Sequence, residues 1–181
     1  ILNMLRYKLG DEIFFQAIKN YLADDNLAFG YAKTNNLIAH LEVESGLDLK
    51  EFFDDWYYGE GYPSYEVNWH QNPANKIVRF NVNQTQSHSS VSFFEMPLPV
   101  KVTGTSGESE IIRLEVSENA QTFNTEIPFE IASIEIDPEK QLISKNNTIV
   151  LGVDIEKLQN DISIFPNPVE STLSIANNSY A

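Results

Sequence analysis

The hydrophobic period of this chain changes once, near Gly61 and Tyr62, and that change limits the folds open to it. Before it, apolar residues recur at helical spacing: Leu2, Leu5 and Leu9, then Phe14, Ile18 and Leu22 with Ile13, Ala17 and Tyr21 alongside, then Leu37, Ile38 and Leu41. From Pro63 onward the period falls to two. Tyr65, Val67 and Trp69 alternate with Glu66, Asn68 and His70, and Val78, Phe80 and Val82 alternate with Arg79, Asn81 and Asn83. Leu98, Val100 and Val102 lead through Gly104 and Gly107 to Ile112, Leu114 and Val116, and Phe123, Ile127, Phe129, Ala132, Ile134 and Ile136 complete the set. The order is helices, then strands, and it predicts an α+β fold: a short helical bundle followed by an antiparallel β-sandwich of about seven strands.

Punctuation refines this. Gly10 breaks the first helix, and Asp11 and Glu12 place acids in the first turn of the second, where the helix dipole favours them. Thr34 is the expected N-cap of the third helix and Ser45-Gly46 its stop. Asp48 with Glu51 has the spacing of a capping box for a last helix carrying Phe52, Phe53 and Trp56, which ends at Tyr58-Gly59. Pro97 and Pro99 predict an edge strand or a bulge, because neither has an N–H to give a ladder. The expected layout is a helical part at 1–62, a sandwich at 63–147, a polar linker at 148–160 and the start of a separate strand pattern at 161–181.

Charge and composition exclude several classes of function. The net charge of −14 repels a phosphate backbone or an anionic lipid surface, so no nucleic-acid partner is expected. The hydrophobic fraction of 42% separates the chain from acidic disordered segments. Without cysteine there is no disulfide, thiolate metal site or cysteine nucleophile, and no apolar run reaches the length of a transmembrane segment. The chain opens on Ile1 with no leader pattern around Arg6 and Lys8, and reads as an excised piece of a longer polypeptide.

Residues with catalytic or ligating chemistry are few. His40, His70 and His88 show no zinc-ligand spacing, and packed or surface roles are the expectation for all three. The acids Glu42, Glu44, Asp48, Glu51, Asp54 and Asp55 lack the alternation and central glycine of a calcium loop and read as the outer faces of helices. Phe52, Phe53, Trp56, Tyr57 and Tyr58 would suit a sugar-stacking platform, but their helical spacing favours a core seam between helices and sandwich.

The segments Met4-Leu5-Arg6-Tyr7-Lys8-Leu9-Gly10-Asp11-Glu12-Ile13-Phe14-Phe15, Thr34 with Leu37 and Leu41, Gly46-Leu47-Asp48-Leu49, and Phe52-Phe53-Asp54-Asp55-Trp56-Tyr57-Tyr58-Gly59 resemble the end of the catalytic domain in the aminopeptidase N family of gluzincin metallopeptidases. The most specific part is the close Phe-x-x-x-Trp-x-x-Gly-x-Gly-x-Pro, spanning Phe52 to Pro63. In that family a β-sandwich follows with a Pro-Leu-x-Val strand and a late Ile-Asp-Pro. Pro97-Leu98-Pro99-Val100 and Ile136-Asp137-Pro138 are similar, so the resemblance runs from Ile1 to Asn147.

The resemblance implies a zinc enzyme acting on peptide substrates in the full-length parent. The family holds zinc with His-Glu-x-x-His and a distal Glu, and all its catalytic motifs fall before Ile1. Tyr7 and Tyr31 do not match the position of the family tyrosine. No catalytic, cofactor-binding or metal residue is therefore assigned in this chain, and the fragment alone is expected to be inactive. Ile162-Ser163-Ile164-Phe165-Pro166-Asn167-Pro168 with Leu173-Ser174-Ile175 resembles the opening of the C-terminal sorting domain read by the type IX secretion system of Bacteroidetes. That resemblance implies a secreted or cell-surface protein with the secretion machinery as a partner. Two other readings remain open: a non-catalytic surface binding or adhesion protein derived from the family, and a free-standing carbohydrate module, which exposed coplanar aromatics on the sandwich would favour.

Overall fold

A computed structural model describes residues 1–152 and the backbone of two further strands, 162–165 and 174–177. The helical layer comprises α1 (Leu2–Leu9), α2 (Asp11–Leu22), α3 (Thr34–Ser45) and the single turn α4 (Lys50–Phe53). The last of these runs straight into a π-helix, Asp54–Tyr58, where an ordinary α-helix is expected from the sequence. Gly10 joins α1 to α2 at φ 82 and ψ 157, a positive-φ extended conformation almost confined to glycine, and the Arg6 guanidinium spans the joint to Asp11 with bonds of 2.7 and 2.8 Å. Gly46 ends α3 in the left-handed conformation, with its N–H on the Glu42 carbonyl.

Two expected caps are corrected. Thr34 is the first residue of α3, and its hydroxyl lies 3.2 Å from the Tyr57 hydroxyl; the cap position is Lys33, whose N–H donates to the Asn36 side chain at 2.8 Å. Asp48 accepts the Lys50 N–H at 2.8 Å, an Asx-type turn one residue ahead of the N-cap Leu49.

The sandwich pairs a four-stranded sheet, order β5-β2-β1-β7, with a three-stranded sheet, order β4-β3-β6. Its strands are β1 (Pro63–Gln71), β2 (Ile77–Gln86), β3 (Met96–Gly104), β4 (Ser109–Val116), β5 (Gln121–Glu126), β6 (Ile131–Ile136) and β7 (Thr148–Leu151). The inward positions are those picked out by the period of two: Tyr65, Val67, Val78, Phe80 and Val82 on one sheet, and Leu98, Val100, Val102, Ile112, Leu114 and Val116 on the other, all buried. Thr148–Leu151, at the head of the expected linker, is an edge strand running parallel to β1 with Val67 opposite Ile149, so the first sheet is mixed. Strands β8 (Ile162–Phe165) and β9 (Ser174–Asn177) pair antiparallel as a sheet of their own. Pro166-Asn167-Pro168 lies outside the described residues.

The proline strand is central, contrary to the edge reading. Strand β3 pairs with β4 along its length but meets β6 only from Val100 onward. The Pro99 carbonyl accepts the Asp137 N–H at 2.8 Å, so the missing N–H groups of Pro97 and Pro99 face the side where β6 has already ended. The register does shift between Thr103 and Gly104, where a bulge falls. Pro97 and Pro99 are buried even though they face away from the sandwich interior. Arg113, opposite Pro99 on the same face, donates to the Tyr7 and Lys8 carbonyls at 2.5 and 3.0 Å, which places the end of α1 over that face.

The glycines and proline of the Gly-x-Gly-x-Pro close have separate physical reasons. At Gly59 an added Cβ would collide with Val91 and approach the Asp55 carbonyl oxygen to 2.5 Å. At Gly61 φ is +102, and a Cβ would sit 2.8 Å from Ser87 Oγ. Pro63 opens β1. Gly59→Ala is therefore expected to cost about 1–3 kcal/mol by overpacking. Gly10→Ala meets no neighbour and should cost only the backbone penalty of φ 82 with ψ 157, about 1–3 kcal/mol. Urea midpoints of the two variants check this; an unperturbed Gly59→Ala would show that the junction is loose.

Candidate functional site

The helices and the sandwich meet at one aromatic seam. The π-helix turns Trp56 inward at 7% exposure, with its ring 4.6 Å from Phe94 and 6.4 Å from Phe52. Its indole N–H points to the Glu95 carbonyl at 3.4 Å. Phe94 precedes β3, so no ladder serves its backbone. The buried Gln84 side chain takes that place: its Oε1 accepts the Phe94 N–H at 2.8 Å, and its Nε2 donates to the Phe94 carbonyl at 3.0 Å. The Glu95 side chain reaches α1 through Lys8 at 3.3 Å.

The connection between the layers is clamped. Ser90 Oγ accepts the Glu60 N–H at 2.9 Å and donates back to the Glu60 carbonyl at 3.0 Å. The Tyr62 N–H donates to Ser87 Oγ at 2.8 Å, and the Ser87 N–H returns to the Tyr62 carbonyl at 3.0 Å. His88 lies 3.5 Å from the Glu60 carboxylate. On the other flank Arg113 stacks over the Tyr7 ring at 4.9 Å while satisfying carbonyls at the end of α1.

Asp55 is the seam's one acid pushed toward neutrality. Burial raises its carboxyl to about 6, with the negative charges of Glu51, Asp54 and Glu95 adding and the Glu95 backbone amide opposing. Burial also raises the Tyr7 and Tyr65 hydroxyls.

The sequence candidates disperse. His40 lies on α3, 3.1 Å from Asp24 and edge-on to Tyr21, away from any second histidine. His70 is on β1 opposite Arg79, and His88 is in the clamp. Glu42 accepts the Leu49 N–H at 3.0 Å, Glu44 the Asn20 side chain at 2.9 Å, and Asp54 pairs with Lys50. Phe52, Phe53 and Trp56 are buried in the seam, while Tyr57 and Tyr58 stay half exposed beside it. The sandwich aromatics Tyr65, Trp69, Phe80 and Phe94 are buried, while Phe93, Phe123 and Phe129 are partly buried against the core. Among the described residues no group of three His, Cys, Asp or Glu is placed to hold a metal ion, and no helix is long and apolar enough to cross a membrane. Gln84, Phe94, Glu95 and Arg113 are seam residues that the sequence reading did not single out. Gln84 carries a signal, since it continues the inward series Val78, Phe80, Val82 with a polar side chain.

These features define a helix-plus-sandwich module of α+β class. No family model matches the chain. Over 141 residues it is 30% identical to glutamyl aminopeptidase of Homo sapiens, a match covering 77% of this chain and 14% of that protein. Its fold is similar to that of Legionella pneumophila aminopeptidase A, solved in complex with aspartic acid, with a TM-score of 0.60 and 16% identity over 84% of this chain and 17% of that one. Together the sequence similarity and the shared fold support a place in an aminopeptidase N-like family. The chain spans only 14% of the length of the curated relative.

Truncating the seam is expected to be costly. Trp56→Ala should lose about 3–5 kcal/mol. Gln84→Leu should lose on the order of 2–4 kcal/mol, because it strands two buried backbone groups. The double variant should lose less than the sum, since both act on Phe94. Equilibrium urea unfolding measures all three, and strict additivity would show that the two contacts are independent.

Proposed function

We propose that this region is the C-terminal part of a secreted zinc-dependent aminopeptidase-like metallopeptidase, in which the helical layer packs behind the active site and supports it. The observation that carries the reading is the apolar face left open on the helical layer. Phe29 and Tyr31 are wholly exposed, Leu22 and Val43 are largely so, and Phe29 is held at φ 58. Their loop is not slack: the Asp24 side chain accepts the Asn26 N–H, the Asp24 carbonyl accepts those of Leu27 and Ala28, and His40 braces Asp24. An ordered loop that presents two aromatics to solvent suits a docking surface, and the similarity to aminopeptidases supports a catalytic part as the occupant.

Among the described residues no group of three His, Cys, Asp or Glu could hold a zinc ion, and no catalytic step is assigned to them. In such a peptidase the metal lowers the pKa of its bound water and polarises the scissile carbonyl. Ligands for it, and the groups that receive peptide substrates, would belong to the rest of the polypeptide. What this chain contributes is rigidity: the seam fixes the helical layer against a sandwich that acts as its foundation.

The isolated chain is expected to hold no stoichiometric zinc after dialysis and to hydrolyse no aminoacyl reporter. One tightly held zinc per chain would overturn the reading. The docking role has its own test. Phe29→Ser with Tyr31→Ser should leave the thermal midpoint of the isolated chain unchanged but lower reporter turnover in the longer polypeptide; equal turnover would remove the supporting role. A parent sequence without His-Glu-x-x-His would favour the non-catalytic binding protein instead.

We infer further that the C-terminal stretch opens a type IX sorting domain and directs export to the cell surface. The pairing of β8 with β9 rather than with a sandwich strand supports this. Chains ending at Asn160 and Ala181 should then melt within about 2 °C of each other, less than a 1 kcal/mol contribution would produce. A parent truncated after Asn160 should remain in the periplasm. A large drop in melting temperature, or normal export, would remove the sorting reading.

A further inference from the structure

Asp55 lies where the helical layer and the sandwich both bond the Phe94–Glu95 backbone segment. It directly precedes Trp56 in the π-helix, and the two side chains address the same residue, Trp56 at the Glu95 carbonyl and Asp55 at the Glu95 amide. Its Oδ2 is buried and has no hydrogen-bond partner among the described residues. The charges around it are of its own sign: Glu51 and Asp54 from the same helical segment, and Glu95 from the segment leading into β3. The nearby cations are committed elsewhere, Lys50 to Asp54 and Lys8 of α1 to Glu95. A charged carboxylate in this position has an uncompensated oxygen and three acidic neighbours, whereas a neutral one adds an O–H donor among carboxylate acceptors.

We propose that Asp55 is the proton-binding group of a latch between the helical layer and the sandwich, closed when the carboxyl is neutral and loosened when it is charged. The inference is independent of the peptidase reading. Its direction follows from linkage. The folded chain holds this proton up to about 6, the free carboxyl only to 3.8. The contribution of Asp55 to the seam is therefore most favourable below the lower value, is lost as pH rises through the upper one, and stays lost above it. The side chain is partly open to solvent, which screens the effect, so a three- to tenfold change in seam opening is expected, about half to one pKa unit of coupling.

The test follows the two indole N–H resonances of the isolated chain from pH 4.5 to 8, in parallel with limited proteolysis between Gly59 and Ser64 normalised to an unstructured peptide of that segment. In the wild type the Trp56 resonance should titrate with a midpoint near the Asp55 value while Trp69 stays still, and cutting should rise about three- to tenfold between pH 5 and 7.5. Asp55→Asn should abolish both changes and raise the thermal midpoint at pH 7.5 more than at pH 5. Glu95→Gln, which removes one like charge, should move the midpoint downward and keeps the test available if Asp55→Asn folds poorly. His88→Gln, which removes the separate His88 and Glu60 pair at the junction, should change nothing. A pH-insensitive Trp56 resonance, a titration that survives Asp55→Asn, or one that disappears with His88→Gln would each overturn the proposal.

Discussion

The structure depends on how the backbone of Phe94 and Glu95 is satisfied. These residues close the β2–β3 connection and have not yet entered β3, so buried Phe94 and partly buried Glu95 have no strand to pair with. Side chains from both layers fill the gap: Gln84 from the sandwich takes the N–H and C=O of Phe94, and Trp56 from the helical layer reaches the C=O of Glu95. An unpaired buried peptide group costs about as much as the stability margin of many domains allows for one defect, on the order of 1–3 kcal/mol. The helical layer and the sandwich are joined because each completes the hydrogen bonding of the same short segment.

The same device recurs at the far end of the sandwich. Gln71, at the end of β1, donates to the Ile127 and Phe129 carbonyls and accepts the Ile131 N–H, so one amide side chain ties the β5–β6 connection to the opposite sheet. Asn147 accepts the Tyr65 N–H where β7 is about to begin, and Asn119 accepts the Gln84 N–H. Asp137 uses a carboxylate likewise, adopting φ 49 and accepting the Gln141 and Leu142 N–H groups after β6. That accounts for the Ile-Asp-Pro element as a turn that stops one strand and satisfies the chain beyond it.

Much of this was legible in the sequence, and the parts that were not have physical causes. The switch from period 3.6 to period 2 located the layers because one-sided burial dictates both patterns. Gly46 and Gly10 marked helix ends because the positive φ each adopts selects glycine. The π-helix left no signature, since Asp54–Tyr58 has the spacing of an ordinary helix and only the fit of Trp56 against Phe94 reveals the wider turn. The central position of β3 was misread because the rule for proline concerns each N–H, and whether that N–H faces a partner depends on where β6 stops. Strand β7 was invisible because all four of its residues are exposed and its pairing with β1 is long-range and parallel. Among site residues, the aromatic seam was readable from Phe52, Phe53 and Trp56. Phe94, the partner of Trp56, and Arg113, the partner of α1, were not, because contacts between positions so far apart carry no local pattern.

The central claim is that the helical layer and the sandwich open as one unit through the shared Phe94–Glu95 segment. Native-state hydrogen exchange as a function of urea, resolved by mass spectrometry into peptides from 1–62 and 63–152, tests it most directly. The account predicts that the slowest amides of α1 and α2 and those of β2 and β3 converge on the same opening free energy and the same urea dependence. A helical layer whose slowest amides exchange through an opening several kcal/mol easier than that of the sandwich would contradict it.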